Sequence, residues 1–275
     1  GEPFDPLSIT PESELTFLSS SNNYKIPPAI SIRLDNFGDT NISWSTYCDP
    51  ELQITPTSGS LSPGQYTNLT LSLVQSPSEP GTYQKTISIT NTSTQKTTNL
   101  TVKVKRAVPA PITFTLDTDP GWERTGNWQF GVPQGQEGDP TSGYTGSNVY
   151  GYNLAGNYEN YMDEEYLISE PIDCSTIKNT KLNFYRWLGI ESSSYDHARI
   201  DISTNGTTWS TIWEHTSGTI RESSWNLQTI NISSYADQMP IVLIRWVMGP
   251  TDGSVTYSGW NIDDISIFGD HVNTT

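Results

Sequence analysis

The sequence predicts an all-β protein of two units, an immunoglobulin-like β-sandwich followed by an antiparallel jelly roll. Three observations carry that prediction. Apolar and polar residues alternate through many short runs, the pattern of half-buried strands. Gly, Pro, Ser, Thr and Asn fill the intervals, and no long Leu/Ala/Glu/Lys helical pattern occurs. The stretch Val108-Pro109-Ala110-Pro111 divides the 275 residues into two segments, each long enough for its own core.

In chain order, a polar tail at 1–6 precedes a first domain at 7–106. Ile30, Ile32 and Leu34 alternate with Ser31, Arg33 and Asp35, and Ile42 and Trp44 continue the theme. Leu69, Leu71 and Leu73 follow, then Tyr83, Ile87 and Ile89, then Leu100, Val102 and Val104. Ser58-Gly59, Pro63-Gly64 and Pro80-Gly81 are turn signals between runs. Roughly seven or eight short strands in about 100 residues describe a sandwich. The motifs Ile32-Arg33-Leu34-Asp35-Asn36-Phe37-Gly38, Ile54-Thr55-Pro56-Thr57-Ser58-Gly59-Ser60-Leu61-Ser62-Pro63-Gly64 and Gly81-Thr82-Tyr83 resemble the bacterial BACON and HYDIN-like immunoglobulin modules. The resemblance implies a spacer or adhesive module. Residues 107–111 are expected to be a short, stiff, polyproline-like linker.

The second domain, 112–269, opens on Ile112-Thr113-Phe114-Thr115-Leu116 and enters a loop-rich region at 117–163. Strands are expected around 166–169, 182–188, 198–203, 209–213, 227–232 and 241–248, with a hairpin turn at Asn205-Gly206. The runs at 182–188 and 241–248 are apolar on both parities, which predicts central strands covered on both faces. The closing strand carries Trp260 and Ile262, then Ile265 and Ile267, so the alternation slips by one across Asp263-Asp264. Such a slip requires a bulge or a buried carboxylate, and a buried carboxylate requires a partner. Residues 270–275 form a second polar tail.

Charge narrows the function. The net charge of −16 excludes nucleic-acid binding, which needs Lys and Arg against phosphate. Residues 1–106 hold seven Lys/Arg and nine Asp/Glu, whereas 107–275 hold seven and twenty-one. No stretch reaches the ~20 apolar residues of a membrane span. No signal peptide is visible, and a chain beginning at Gly1 leaves room for a leader already removed. The Thr/Asn-rich, acidic, Lys-poor composition reads as extracellular or cell-surface. Sequons at Asn41, Asn68, Asn91, Asn99, Asn205, Asn231 and Asn273 are glycosylation candidates.

The second domain carries a more specific resemblance, in Gly121-Trp122, Gly126-Asn127-Trp128, Gly138-Asp139-Pro140-Thr141-Ser142-Gly143-Tyr144-Thr145-Gly146, Leu167-Ile168-Ser169-Glu170-Pro171-Ile172-Asp173 and Gly259-Trp260-Asn261-Ile262-Asp263-Asp264-Ile265. Together they resemble the MAM-like (galactose-binding-like) jelly roll found C-terminal to immune inhibitor A-type metallopeptidases and in other secreted bacterial proteins. This implies a non-catalytic module, often calcium-stabilised. Between Asp117 and Asp173 there are eleven carboxylates and one base, Arg124, an oxygen supply suited to calcium. The candidate ligands are Asp117, Asp139 and Asp263, with Asp264 and a carbonyl near Ser147 or Asn148 as further donors. The alternative is that Asp117 and Asp139 cap turns while the aspartate pair flanks a bulge.

Trp122, Trp128, Tyr144 and Tyr150 offer ring faces for stacking on sugars, against the plainer reading that they pack loops. Cys48 and Cys174 are a disulfide candidate across the two domains, or two free thiols, or bonds to other chains. Catalysis is not expected. The only histidines, His197, His215 and His271, lack metal-ligand spacing, and no H-E-x-x-H or G-x-S-x-G occurs. Glu164 and Glu165, neighbours on a strand, point apart. The first expectation is therefore a calcium-stabilised extracellular adhesion or structural protein, polymerising through terminal strands or binding surface glycans. The second is the carbohydrate- or substrate-targeting C-terminal region of a secreted hydrolase or peptidase.

Overall fold

The computed structural model describes residues 5–21 and 27–272, which fall into two compact units, Gly1–Ala107 and Val108–Thr275. The first packs a four-stranded sheet (Leu7–Thr10, Ile30–Asn36, Tyr66–Leu73, Leu52–Thr55) on a five-stranded one (Leu15–Ser19, Lys96–Arg106, Gly81–Asn91, Ile42–Cys48, Ser58–Leu61). The alternation explains the packing. Ile32, Leu34, Leu69 and Leu71 from one sheet and Ile87, Ile89, Val102 and Val104 from the other are buried in a single core. Arg33 and Asp35, on the opposite parity, pair at 2.7 Å on the outer surface. Leu15–Ser19 joins Lys96–Arg106 in parallel, and among the described residues every other pairing of this unit is antiparallel.

The second unit is a jelly roll. Its larger sheet runs Trp128–Gly131, Val149–Tyr152, Gly259–His271, Ile177–Ile190, Ile220–Arg221. Ile112–Phe114 also pairs with Gly259–His271, and Asn226–Asn231 with Ile177–Ile190. Ile112–Phe114 and the closing strand are thus neighbours. The facing sheet runs Glu123–Arg124, Glu165–Ile168, Leu243–Met248, Ala198–Ser203, Ser210–Glu214. Aromatic rings fill the space between the sheets. Trp122 stacks on Tyr150 (5.3 Å) and on Trp246 (5.7 Å), and Phe184 meets Trp246 edge-on. Each such ring contributes roughly 1.5–3 kcal/mol by burial.

The two double-parity runs separate. In Leu243–Met248, Leu243, Ile244, Trp246 and Val247 are all buried, as expected of a central strand covered on both faces. In Ile177–Ile190, Leu182, Phe184 and Leu188 are buried, while Asn183, Tyr185 and Trp187 are only half-buried. That strand is central but covered on one face alone. Its second parity is apolar because the open face of the sheet carries aromatic side chains.

The linker also differs from expectation. Val108–Pro109 pairs in parallel with Ile172–Asp173, and the Ala110 N–H donates to the Asp173 carbonyl at 2.9 Å. These residues form an edge strand of the second unit, because the residues between the prolines still have donors to give. Residues 1–4 and 273–275, and with them most of both tails and the Asn273 sequon, lie outside the described residues. Asp5 accepts hydrogen bonds from the Asn91 amide and the Leu7 N–H. At the other end pairing continues to His271 opposite Ile177. Among the described residues no helix is long and apolar enough to cross a membrane.

Candidate functional site

The slip in the closing strand is a β-bulge. Asn183 faces Ser266 and Tyr185 faces Asp263, so Asp264 and Ile265 together oppose Phe184. Asp264 takes φ +47°, a left-handed conformation that aspartate tolerates better than most residues. The bulge keeps Ile265 and Ile267 in the core and leaves Asn261 and Asp263 on a common face. That face is covered locally by the loop at 138–148, so both side chains are buried, Asp263 completely. Asp263 accepts the N–H groups of Thr145 (3.1 Å) and Asp264 (2.8 Å), and the Thr145 hydroxyl donates to Asp264 at 2.9 Å.

Gly143 is required here. A Cβ on it would lie 2.3 Å from the Thr145 carbonyl oxygen and 2.8 Å from both the Asn148 carbonyl oxygen and Asp263 Oδ2. Three oxygens thus crowd one side of a glycine. Nearby, Asp139 Oδ1 accepts the Asn261 amide at 2.6 Å, but Asp139 Oδ2 and Asn261 Oδ1 are buried without partners. Burial pushes both Asp139 and Asp263 up to about 7. Among the described residues no Lys, Arg or His is ion-paired to either. Asp117 sits at the edge of the same loop, its carbonyl accepting the Asn148 amide at 3.1 Å. The loop therefore gathers all four predicted aspartates, but as two pairings, Asp139 with Asn261 and Asp263–Asp264 with Thr145.

A second acidic grouping was not legible in the sequence. Oxygens of Glu191, Asp196 and Asp252 all lie within 4.8 Å of one another. Asp196 accepts the Tyr158 hydroxyl and the Asp252 N–H. Asp252 lies 56 residues beyond Asp196 in the chain, so no sequence motif joins the three.

The aromatic candidates need correction. Trp122, Trp128 and Tyr150 are buried core residues, so their ring faces stack on protein and are closed to a sugar. Only Tyr144 stands at the surface, where it stacks on Tyr185 with centroids 3.4 Å apart. Tyr185 and Leu227, the latter exposed and opposite it in register, were missed because their alternating neighbours made the strands look doubly buried or ordinary. Together with Thr113, Asn183, Asp264 and Ser266 they line a shallow groove on the open face of the larger sheet. The groove crosses four adjacent strands, and Thr113 and Ser266 are hydrogen-bonded across it at 2.8 Å.

Other candidates resolve individually. Asn91 is wholly buried and bonded to Asp5, Ser93 and Thr94, so this sequon is closed to glycosylation; Asn41, Asn68, Asn99, Asn205 and Asn231 are exposed. His215 is buried, with Nε2 at 2.8 Å from the Glu191 carbonyl. Cys48, half-buried in the first unit, and Cys174, buried in the second, are both free thiols. Cys174 is sealed in the core of the second unit, where burial pushes its thiol up to about 12, and Cys48 donates to the Leu52 carbonyl.

No family model matches the chain. It is similar to bacillopeptidase F of Bacillus subtilis (strain 168), with 30% identity over 169 residues, 60% of this chain and 11% of that protein. The chain therefore corresponds to a small part of that relative. Among solved structures, a carbohydrate-binding module of the β-sandwich superfamily is 13% identical, covering 95% of this chain and 96% of its own, with a TM-score of 0.37. The periplasmic chaperone SfaE is 10% identical over 54% of this chain and 93% of its own, with a TM-score of 0.33. Likenesses this loose carry no functional weight.

The thiols give a direct check. Folded protein without reductant should leave Cys174 unreactive toward a thiol-specific chromogenic reagent, and denaturation should release two thiols per chain. Two missing thiols after denaturation would show the bridge instead.

Proposed function

We propose that this chain is a non-catalytic targeting region of an extracellular hydrolase or peptidase, and that it holds a polysaccharide on the open face of its jelly roll. The groove across four strands carries this reading. It presents an exposed tyrosine stack and Leu227 for the apolar faces of sugar rings, flanked by threonine, serine, asparagine and aspartate groups that bond hydroxyls. The similarity to part of a protein named as a peptidase supports attachment to a hydrolytic enzyme. The acidic surface favours a neutral polymer over a polyanion.

Calcium belongs to the same proposal. Asp139 and Asp263 would hold it, helped by Asn261 Oδ1 and loop carbonyls. The orphaned oxygens of Asp139 and Asn261, and the carbonyls facing Asp263 across Gly143, suit a hard cation that takes about six to eight oxygens. Its charge would offset two buried carboxylates and fix the loop that carries Tyr144 over the sheet.

Two outcomes follow. In a pull-down on insoluble neutral polysaccharides, Tyr144→Ala and Tyr185→Ala should each weaken binding about tenfold without lowering the melting temperature, since both rings lie at the surface. A blank across a broad polysaccharide panel would contradict the targeting role. The second outcome concerns pH. Without metal, the folded forms of Asp139 and Asp263 bind protons more tightly than the unfolded chain. The native state then holds the extra protons, so stability falls as pH rises from about 4 to about 7. Chelated protein should therefore melt roughly 5 °C higher at pH 5 than at pH 7.5, and calcium should remove most of that difference. Identical melting with calcium and with chelator at pH 7.5 would contradict a stabilising metal.

A further inference from the structure

The loop that supplies Tyr144 begins beside a second concavity, away from the groove. It encloses about 390 Å³, within the range of small-ligand pockets, and is lined by Glu137, Asn157, Arg221, Thr256 and Tyr257, with Gly189 among its backbone surfaces. The Trp187 indole N–H, donating to the Gly138 carbonyl at 2.8 Å, pins the loop next to it.

Arg221 is the exception among the arginines of its unit. Arg124, Arg186, Arg199 and Arg245 are ion-paired with Asp119, Glu222, Glu164 and Asp201. Arg221 forms no ion pair among the described residues, although acids outnumber bases threefold in this part of the chain. Its guanidinium lies 4.5 Å over the Tyr257 ring and donates to the Tyr257 hydroxyl at 2.6 Å. That arrangement fixes the guanidinium at the pocket while leaving most of its donors uncommitted. Glu222 also lines the pocket but is committed elsewhere, to Arg186 at 2.6 Å and to the Leu188 N–H at 2.7 Å.

Acceptors complete the set. Asn157 Nδ2 donates to the Thr256 carbonyl at 3.1 Å and its hydroxyl at 3.2 Å, and Asn157 Oδ1 is buried in the pocket lining without a donor. Glu137 adds an exposed carboxylate. A positioned donor together with unpaired acceptors matches vicinal hydroxyls, because each hydroxyl both donates and accepts. A carboxylate or sulfate ligand would meet Glu137, Glu222 and the acidic field of the whole unit. We infer that this pocket is a subsite for a neutral sugar residue, with Arg221 and Glu137 bonding adjacent hydroxyls and Tyr257 holding the arginine in place. The inference rests on the polysaccharide-targeting reading and adds a position and a ligand class to it.

The test is calorimetric titration of the intact chain with neutral tetrasaccharides of glucose, mannose and galactose, and with oligogalacturonate. The wild type is expected to bind a neutral tetrasaccharide, and Arg221→Ala and Tyr257→Phe to weaken that binding about tenfold and about threefold. Both side chains lie on the pocket surface, and an unchanged melting temperature verifies the fold of each variant. If Arg221→Ala binds as the wild type does while Tyr144→Ala does not, the targeting role stands and this subsite is wrong. Oligogalacturonate binding that is lost in Arg221→Ala would overturn the neutral ligand class. No binding by any of the four sugars would overturn both the subsite and the targeting role.

Discussion

Two carboxylates on or against the closing strand sit in the interior, and among the described residues no base pairs with either. Everything distinctive about the second unit follows from how Asp263 and Asp139 are accommodated. Carrying a charge into a protein interior is costly unless it is paired or hydrogen-bonded. The chain answers part of that cost with backbone N–H groups from Thr145 and Asp264 and with the Asn261 amide. Buried oxygens on Asp139 and Asn261 are left over. A hydrophobic pair at 139 and 263 would pack more simply. The retained oxygens are the observation on which the proposed cation site rests.

That local problem shapes the surface. The bulge at Asp264 lets the strand carry Ile265 and Ile267 inward while Asp263 engages the loop above it. The loop in turn lays Tyr144 on Tyr185 and presents Glu137 and Gly138 to the pocket beside Arg221. One closure thus organises both concavities on the sheet.

Much of this was legible in the sequence. Period-two alternation located five strands of the first unit, each with one solvated face, but not Leu7–Thr10, Leu15–Ser19 or Leu52–Thr55, and Ser58-Gly59, read as a turn, opens the strand Ser58–Leu61. The slip across Asp263-Asp264 called for a bulge or a buried carboxylate, and the strand has both. The failures share a cause. Periodicity reports which residues are apolar, and cannot distinguish a second sheet from an open face carrying aromatic side chains as the reason. The run 182–188 therefore looked doubly buried, and Trp122, Trp128 and Tyr150 looked as available as Tyr144. Arg221 carried no signal either, because its meaning lies in lacking the carboxylate that every other arginine of the unit has found. The prolines at 109 and 111 suggested a spacer, but Val108 and Ala110 keep donors that an edge strand can use.

The central claim is that a cation closes the bulge. Isothermal titration of chelator-treated protein with calcium tests it most directly. The account predicts saturable binding at one site per chain, lost in Asp263→Asn and in Asp139→Asn and kept in Tyr144→Ala. An absence of binding heat together with an unchanged melt would contradict it, and would leave Asp139 and Asp263 as protonated carboxyls buried for reasons of packing alone.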